Sequence, residues 1–295
     1  MKFELASSYA HCQRIARTSG SSFYYSFLLL PKRQRLAMCA LYAFLRRTDD
    51  LGDSLEPVER RRQALAAWRR SFEAAMTGRA DDPLLPALAD TVKSFHIPRE
   101  HLAAAIDGVE MDLDVRRYET FDELQNYCDR VASAVGWACL CVWGCYRTEA
   151  RRPARQCGLA FQMTNILRDL KEDAARDRVY LPREDLDRFD YSDAELLDGV
   201  CDERFRRLMR FEIERTERLY AEAAELEHWL DGDGRRVFGS MMAMYRALLA
   251  EIKRLDGDVL SMRVRLGGWR KMRIAARWFL LRPPLPRAAA GVSLP

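Results

Sequence analysis

The feature that most restricts this chain occurs twice: an apolar helical run that ends in carboxylates without a cation beside them. The first is "LAMCALYAFLRRTDDLGD", Leu36 to Asp53. On a helix Asp49 and Asp53 stand one turn apart on the same face, where like charges repel by roughly 0.2–0.5 kcal/mol. Asp50 has Arg46 and Arg47 within reach and Asp49 has Arg46, but the helical neighbours of Asp53 are Asp49, Asp50, Glu56 and Pro57. The second is "GLAFQMTNILRDLKEDAARDRVYLP", in which Asn165, Asp169 and Asp173 repeat at i, i+4 and i+8. Asp169 has Asn165, Ile166, Glu172 and Asp173 at the neighbouring helical positions, so it too lacks a cation. Either run alone reads equally well as a solvated helix end. Together they call for a shared counter-charge, and a divalent cation is the economical one. Asp, Asn and water oxygens suit Mg²⁺, with Mn²⁺ as the alternative, because Mg²⁺ keeps waters and takes one or two carboxylates plus substrate phosphate. The chain has 4 His, none near either run, which argues against zinc.

The remaining sequence fits an all-α fold. Helical spacing predicts helices over about 4–16, 32–54, 57–77, 84–94, 99–114, 121–131, 133–146, 150–173, 193–198, 201–230, 233–256 and 268–280, and no alternating strand run appears. A chain of 295 residues, 48% hydrophobic, buries a large core unaided. Cys39, Cys128, Cys139, Cys141, Cys145 and Cys157 lie in apolar helical patterns and read as reduced core thiols. The expected architecture is a single all-α domain over 1–258 with a basic C-terminal extension over 259–295. Gly52, in the first carboxylate run, is an odd choice for a helix and costs roughly 1 kcal/mol against Ala.

Other stretches suggest cavity walls. "SGSSFYYSFLLLP" offers Ser19, Ser21 and Ser22 as hydroxyl donors beside Phe23, Tyr24, Tyr25 and Phe27, or a loop followed by core packing. In "YCDRVASAVGWACLCVWG", Ala132, Ser133, Ala134, Gly136 and Ala138 leave a helix face with little bulk, fit for close helix packing or for a long apolar ligand. A pocket apolar at one end, with a cation and Arg46, Arg168 and Arg178 at the other, suits an isoprenoid diphosphate.

With these motifs in order, the chain resembles the squalene/phytoene synthases, which join prenyl diphosphates head to head. The resemblance runs from Ser19 to Arg265 and rests on "YAFLRRTDDLGD", "YCDRVASAVG" and "NILRDLKEDAARDRVYLP". "SGSSFYYSFLLLP", "DGVEMDLDVRRYETFDEL" and "RVRL" are most similar to the bacterial presqualene diphosphate synthases of hopanoid biosynthesis. The resemblance implies an isoprenoid-synthase helical fold with Asp49, Asp53, Asn165, Asp169 and Asp173 as metal ligands. It implies catalytic roles for Tyr127 and the four Asp, and substrate contacts from Ser22, Phe23, Tyr42, Arg46, Val131, Gln162, Asn165, Arg178, Tyr180 and Tyr245. From the residues alone, Tyr127 and Tyr245 read as well as packing aromatics, Gln162 as a helix hydrogen bonder and the arginines as surface ion pairs. The implied reaction joins two farnesyl diphosphates to presqualene diphosphate with release of diphosphate. Alternatives are phytoene synthase acting on geranylgeranyl diphosphate, squalene synthase and, more distantly, a terpene cyclase or a non-catalytic membrane-recruiting subunit. No GxGxxG fingerprint is present, and NADPH is not expected to be required.

Net charge is +4, but from Val259 onward there are eight Arg/Lys and no Asp/Glu. This tail reads equally as an amphipathic helix on an anionic membrane or as a last helix packed on the domain. The expected location is the cytoplasm, with peripheral contact to the inner face of the cytoplasmic membrane, and downstream pathway enzymes as further partners. Nucleic acid is not expected, since no basic stripe reaches the rest of the chain.

Overall fold

A computed structural model of the chain describes residues 4–280. Among them there is no strand. The helices are α1 (Leu5–Thr18), α2 (Ser22–Phe27), α3 (Lys32–Gly52), α4 (Val58–Met76), α5 (Leu85–Ser94), α6 (Arg99–Asp114), α7 (Phe121–Cys128) and α8 (Ala134–Trp143). They continue with α9 (Arg151–Ala174), α10 (Arg183–Arg188), α11 (Asp193–Leu197), α12 (Glu203–Ala223), α13 (Gly232–Arg254) and α14 (Gly268–Leu280). The two carboxylate runs are the C-terminal ends of α3 and α9, as expected.

Two boundaries differ from the sequence reading. The expected break near residue 132 is absent: α7 passes through a π-helical turn, Asp129–Ser133, directly into α8. A π turn widens the helix by one residue and re-aims its faces, which periodicity alone does not show. The expected helix over 201–230 is α only to Ala223 and finishes as a 3₁₀ segment, Ala224–Trp229. The six-residue helices α2 and α10 were not expected, being too short to display a period.

The motif-bearing helices sit at the centre. Helix α3 packs against α1, α4, α5 and α6, and α9 against α8, α12, α13 and the π turn. Each buries one long face, with Met38, Leu41 and Phe44 on α3 and Leu159, Met163 and Leu167 on α9. Start signals hold the surrounding helices: Asp202 accepts from the Arg204 and Phe205 N–H groups, and Ser192 and Glu195 form a capping box on α11. All eight cysteines are free and six are buried, in keeping with core thiols.

Glycines set how closely these helices approach. A Cβ on Gly52 would lie 2.3 Å from Val109 Cγ1, so the missing side chain lets the carboxylate turn of α3 close onto α6. This accounts for the residue that looked misplaced in sequence. A Cβ on Gly158 would lie 2.7 Å from the Ser133 Cα and 2.8 Å from its N, pressing α9 into backbone that cannot rotate away. Gly158→Ala is therefore expected to destabilise the protein by about 2 kcal/mol, overpacking outweighing the helix gain. Gly136→Ala, whose nearest contact is the Ala154 carbonyl oxygen at 3.5 Å, is expected to be neutral or stabilising by up to about 1 kcal/mol. Urea unfolding of the two variants checks the contrast.

Candidate active site

Two connected cavities occupy the centre. The apolar one, about 1240 Å³ with its opening included, is walled by Phe23 and Phe27 of α2, Met38, Leu41, Tyr42 and Leu45 of α3, and Ala105 and Val109 of α6. Its far side is Val131, Ala132, Val135, Gly136, Cys139 and Trp143 along the π turn and α8, and Ala154, Cys157, Gly158 and Phe161 of α9. The small-residue face seen in sequence thus does both jobs: Ser133 packs against α9 while Ala132 and Gly136 leave room. The polar cavity, about 920 Å³, carries Asp49, Asp53, Asp112, Tyr127, Asp169, Asp173, Arg176, Arg178 and Tyr180. Arg46, Asp49, Val109, Val131, Gln162 and Asn165 line both, so the apolar channel opens onto the charged one. Met38 lies three turns below Asp49, Trp143 more than three below Val131 and Ala154 three below Asn165. At 1.5 Å per residue the channel is about 16–18 Å deep.

Nearly every residue expected in the site lines one of these cavities. Tyr245 stands one layer back, its ring stacked on Phe161 at 4.3 Å and on Phe23 at 5.1 Å, and its hydroxyl beside the Asn165 amide. The Ser22 side chain lies outside the described residues. Ser19 and Ser21 are not cavity donors: Ser19 Oγ donates to the Ala16 carbonyl and Ser21 Oγ caps α2 by accepting from Phe23 N–H. A hydroxyl this close to a helix end finds backbone partners first.

The charge reading needs correction. Asp53 has counter-charges after all: Arg176 Nη1 and Arg178 Nη1 each stand 2.9 Å from one of its oxygens. Asp169 is paired with Arg168, its neighbour in sequence, and approached by Arg263 Nη2 at 3.4 Å. Helix-surface geometry discounts adjacent residues as partners, yet the long guanidinium stem folds back. The other partners come from over ninety residues away in sequence. The carboxylates of Asp49 and Asp173, by contrast, have no ion pair or hydrogen bond among the described residues, and Asn165 Oδ1 is buried with no partner.

Sequence reasoning missed Asp112. It accepts from Tyr127 OH and Tyr180 OH, each at 2.9 Å, and joins these two expected site residues into one network. The available signal was a third small face running into a carboxylate, Ala105, Gly108 and Asp112 on α6. Arg116, four residues on, stands where a helical partner would, but the fold gives Arg116 to Asp177 at 2.8 Å. That pairing has a use. Val179 N–H donates to the Arg116 carbonyl, Arg183 N–H to that of Tyr118, and Arg117 to the Asp177 carbonyl, pinning the segment that presents Arg178 and Tyr180.

The carboxylates are crowded. Asp49 meets the water of the mouth, yet the protein around it desolvates the ionised form and Asp53 repels it, raising it to about 7. Asp173 rises to about 7 by desolvation and Asp169, and Asp112 to about 6 by desolvation, moderated by Arg178 and the two tyrosines. Asp49, Asp173 and Asn165 are therefore unpartnered hard oxygen donors on facing helices, which fits Mg²⁺. No three carboxylate, Cys or His groups among the described residues converge tightly enough to cage an ion, as suits a cation that retains waters and takes substrate oxygens.

The squalene/phytoene synthase family model matches residues 16–270. The chain belongs to the squalene/phytoene synthase family. It is thus an enzyme, a prenyltransferase that condenses isoprenyl diphosphates. It is 38% identical to the phytoene synthase of Arthrospira platensis over 90% of both chains, and 37% identical to that of Mycobacterium tuberculosis over 92% of this chain and 91% of the other. Among solved structures it is similar to a dehydrosqualene synthase with bound ligand, TM-score 0.85 at 28% identity, covering 93% of this chain and 96% of that one. The squalene synthase HpnC of Alicyclobacillus acidocaldarius gives 0.79 at 28% identity, covering 85% and 95%. The all-α isoprenoid-synthase fold expected from sequence is the fold observed. No described helix is long and apolar enough to cross a membrane.

The pKa shifts fix the sign of a pH effect. Folded Asp49, Asp173 and Asp112 stay protonated to about pH 6–7, whereas unfolded Asp ionises near about 4. Raising the pH from about 5 to 8 then strips protons from the folded state only, so the metal-free family member loses stability over this interval. Its Tm is expected to fall, less steeply in Asp49→Asn. Added Mg²⁺ with inorganic diphosphate should raise Tm, and more so at pH 8 than at pH 5. A flat profile in calorimetry would contradict the assigned desolvation.

Proposed function

We propose that this enzyme joins two molecules of farnesyl diphosphate head to head, giving presqualene diphosphate and free diphosphate. The carrying observation is the depth of the apolar channel. The C–C bonds along three isoprene units each advance ~1.25 Å in a zigzag and together extend roughly 14 Å, within the distance from the carboxylate mouth to Met38 and Trp143, whereas four units extend roughly 19 Å and exceed it.

Mg²⁺ bound through Asp49, Asp173 and Asn165, with Asp53 and Asp169 beside them, would neutralise the diphosphate and make it a better leaving group. Arg46, Arg168, Arg176 and Arg178 supply guanidinium forks for the phosphate oxygens. Those now paired with Asp53 and Asp169 hold the mouth together and are at hand for an incoming anion. Departure of diphosphate leaves an allylic cation at C1, which the aliphatic and aromatic walls shield from water. The faces of Phe23, Tyr42 and Phe161 offer it π density. Cys139 and Cys157 line the same channel, but burial pushes the Cys139 thiol up to about 12 and that of Cys157 higher, so neither competes as a nucleophile.

The C2–C3 double bond of the second farnesyl group attacks that C1, and loss of a proton from it closes the cyclopropane. Tyr127 and Tyr180, both donating to Asp112, offer a relay for this proton. Asp112, raised to about 6, is ionised enough at neutral pH to accept it. Released diphosphate is the other acceptor. The second reading is phytoene synthase acting on two geranylgeranyl diphosphates, and the identities to phytoene synthases favour it.

Incubation with Mg²⁺ and either diphosphate, with and without NADPH, and mass spectrometry of the lipids tests the choice. Presqualene diphosphate from the C15 substrate is expected without NADPH, and a C40 product formed only from the C20 substrate would overturn it. Asp49→Asn should lower kcat at least about a hundredfold. Trp143→Ala, which removes a ring from the channel floor, should shift kcat/KM toward the C20 substrate by about tenfold; unchanged selectivity would count against depth as the determinant.

A further inference from the structure

Helix α14 has three faces, and only one is explained by the rest of the molecule. Ala275 and Trp278 are buried, with Lys271 and Ile274 half-buried beside them. The Trp278 ring packs on α13 where Gly239 has no side chain: a Cβ there would meet the ring at 2.2 Å. Lys271 Nζ donates to the Gly20 carbonyl at 2.8 Å and sits 5.9 Å from the Tyr25 ring. This face fastens α14 to α13 and α2.

Turned by the 3.6-residue period, Trp269, Met272, Ala276, Phe279 and Leu280 form a second, separate stripe. They face solvent: Trp269 is 86% exposed, Met272 51%, Phe279 58% and Leu280 72%. Arg270, Arg273 and Arg277 fill the arc between the stripes. Arg270 stands 3.4 Å from Glu251, whereas Arg273 and Arg277 have no carboxylate partner among the described residues. No Asp or Glu occurs from Val259 to the end of the chain, and Arg282 and Arg287 follow.

A large apolar stripe beside a cationic row of which two members are uncompensated fits a surface that offers hydrocarbon and phosphate side by side. A second copy of the chain fits less well, because a two-fold contact would oppose two such rows. We infer that α14 seats the protein on an anionic lipid bilayer, with Trp269, Met272, Phe279 and Leu280 at the headgroup–acyl boundary and Arg270, Arg273 and Arg277 on lipid phosphates. The helix rests on α2 and α13, which carry the cavity-wall residues Phe23, Phe27, Phe238 and Met241. Docking therefore places the channel wall beside the phase into which long-chain diphosphates partition. The inference does not depend on whether the substrate is C15 or C20.

Sedimentation of the full chain with vesicles tests it. Binding is expected to be at least about tenfold tighter to phosphatidylcholine–phosphatidylglycerol mixtures than to phosphatidylcholine alone, and to weaken with salt. Arg273→Glu with Arg277→Glu should weaken it about tenfold or more, and Trp269→Ser with Phe279→Ser should abolish it. All four positions are exposed, so helix content and condensing activity in solution should remain. Equal binding to both vesicle types, binding to neither, or binding untouched by both double variants would overturn the inference. So would a self-association, seen by analytical ultracentrifugation, that the same variants dissolve.

Discussion

The structure depends on holding several carboxylates at the rim of an apolar cavity. A carboxylate there loses water on one side and faces others across the gap, so each needs a counter-charge or a proton. The fold supplies the counter-charge unevenly. Asp53 and Asp169 are paired with arginines, Asp112 is held by two tyrosine hydroxyls, and Asp49 and Asp173 are left with their affinity for protons raised. Those last two are where a cation contributes most, because no arginine must be displaced before it binds, only the proton that each holds below about pH 7.

Holding the rim together takes much of the surrounding architecture. The α3 carboxylate turn closes on α6 because Gly52 has no side chain, and α9 presses on the π turn because Gly158 has none. Opposite them, the segment bearing Arg178 and Tyr180 has no helix of its own at those residues. It is pinned instead by backbone bonds to residues 116–118, and further on by Arg215 between Asp185 and Glu212. Arg178 is therefore placed by long-range contacts, while the rim carboxylates, like Arg46 and Arg168, are placed by helices.

The apolar part follows a different rule. Its space comes from small residues on the π turn, α8 and α9, and its length from the number of helical turns below the charged mouth. Close packing of one face and emptiness of the next are compatible because the π turn rotates them apart. A cavity of this kind favours chemistry in which charge is created at the mouth and the resulting cation is kept dry in the channel. The basic helix α14, fastened to two of the wall helices, adds a surface suited to the amphiphiles that such a channel would accept.

The all-α fold, both carboxylate runs and most of the site residues were legible in the sequence, because each rests on spacing along a helix and helical geometry is local. Asp49 and Asp53, or Asn165, Asp169 and Asp173, share a face whatever packs around them. The pairing of Asp53 with Arg176 and Arg178, the capture of Asp112 by Tyr127 and Tyr180, and the placement of Arg116 on Asp177 were not legible. A charged side chain chooses among partners by distance in space, and residues more than a hundred positions apart become neighbours only when the helices close. The same holds for Gly52, whose cost is visible in one helix and whose benefit lies in another. By itself the sequence determined which groups share a helix face; tertiary structure decided which of them meet at the cavity, which are already neutralised and which remain open to a cation, because compensation of charge is a property of packing.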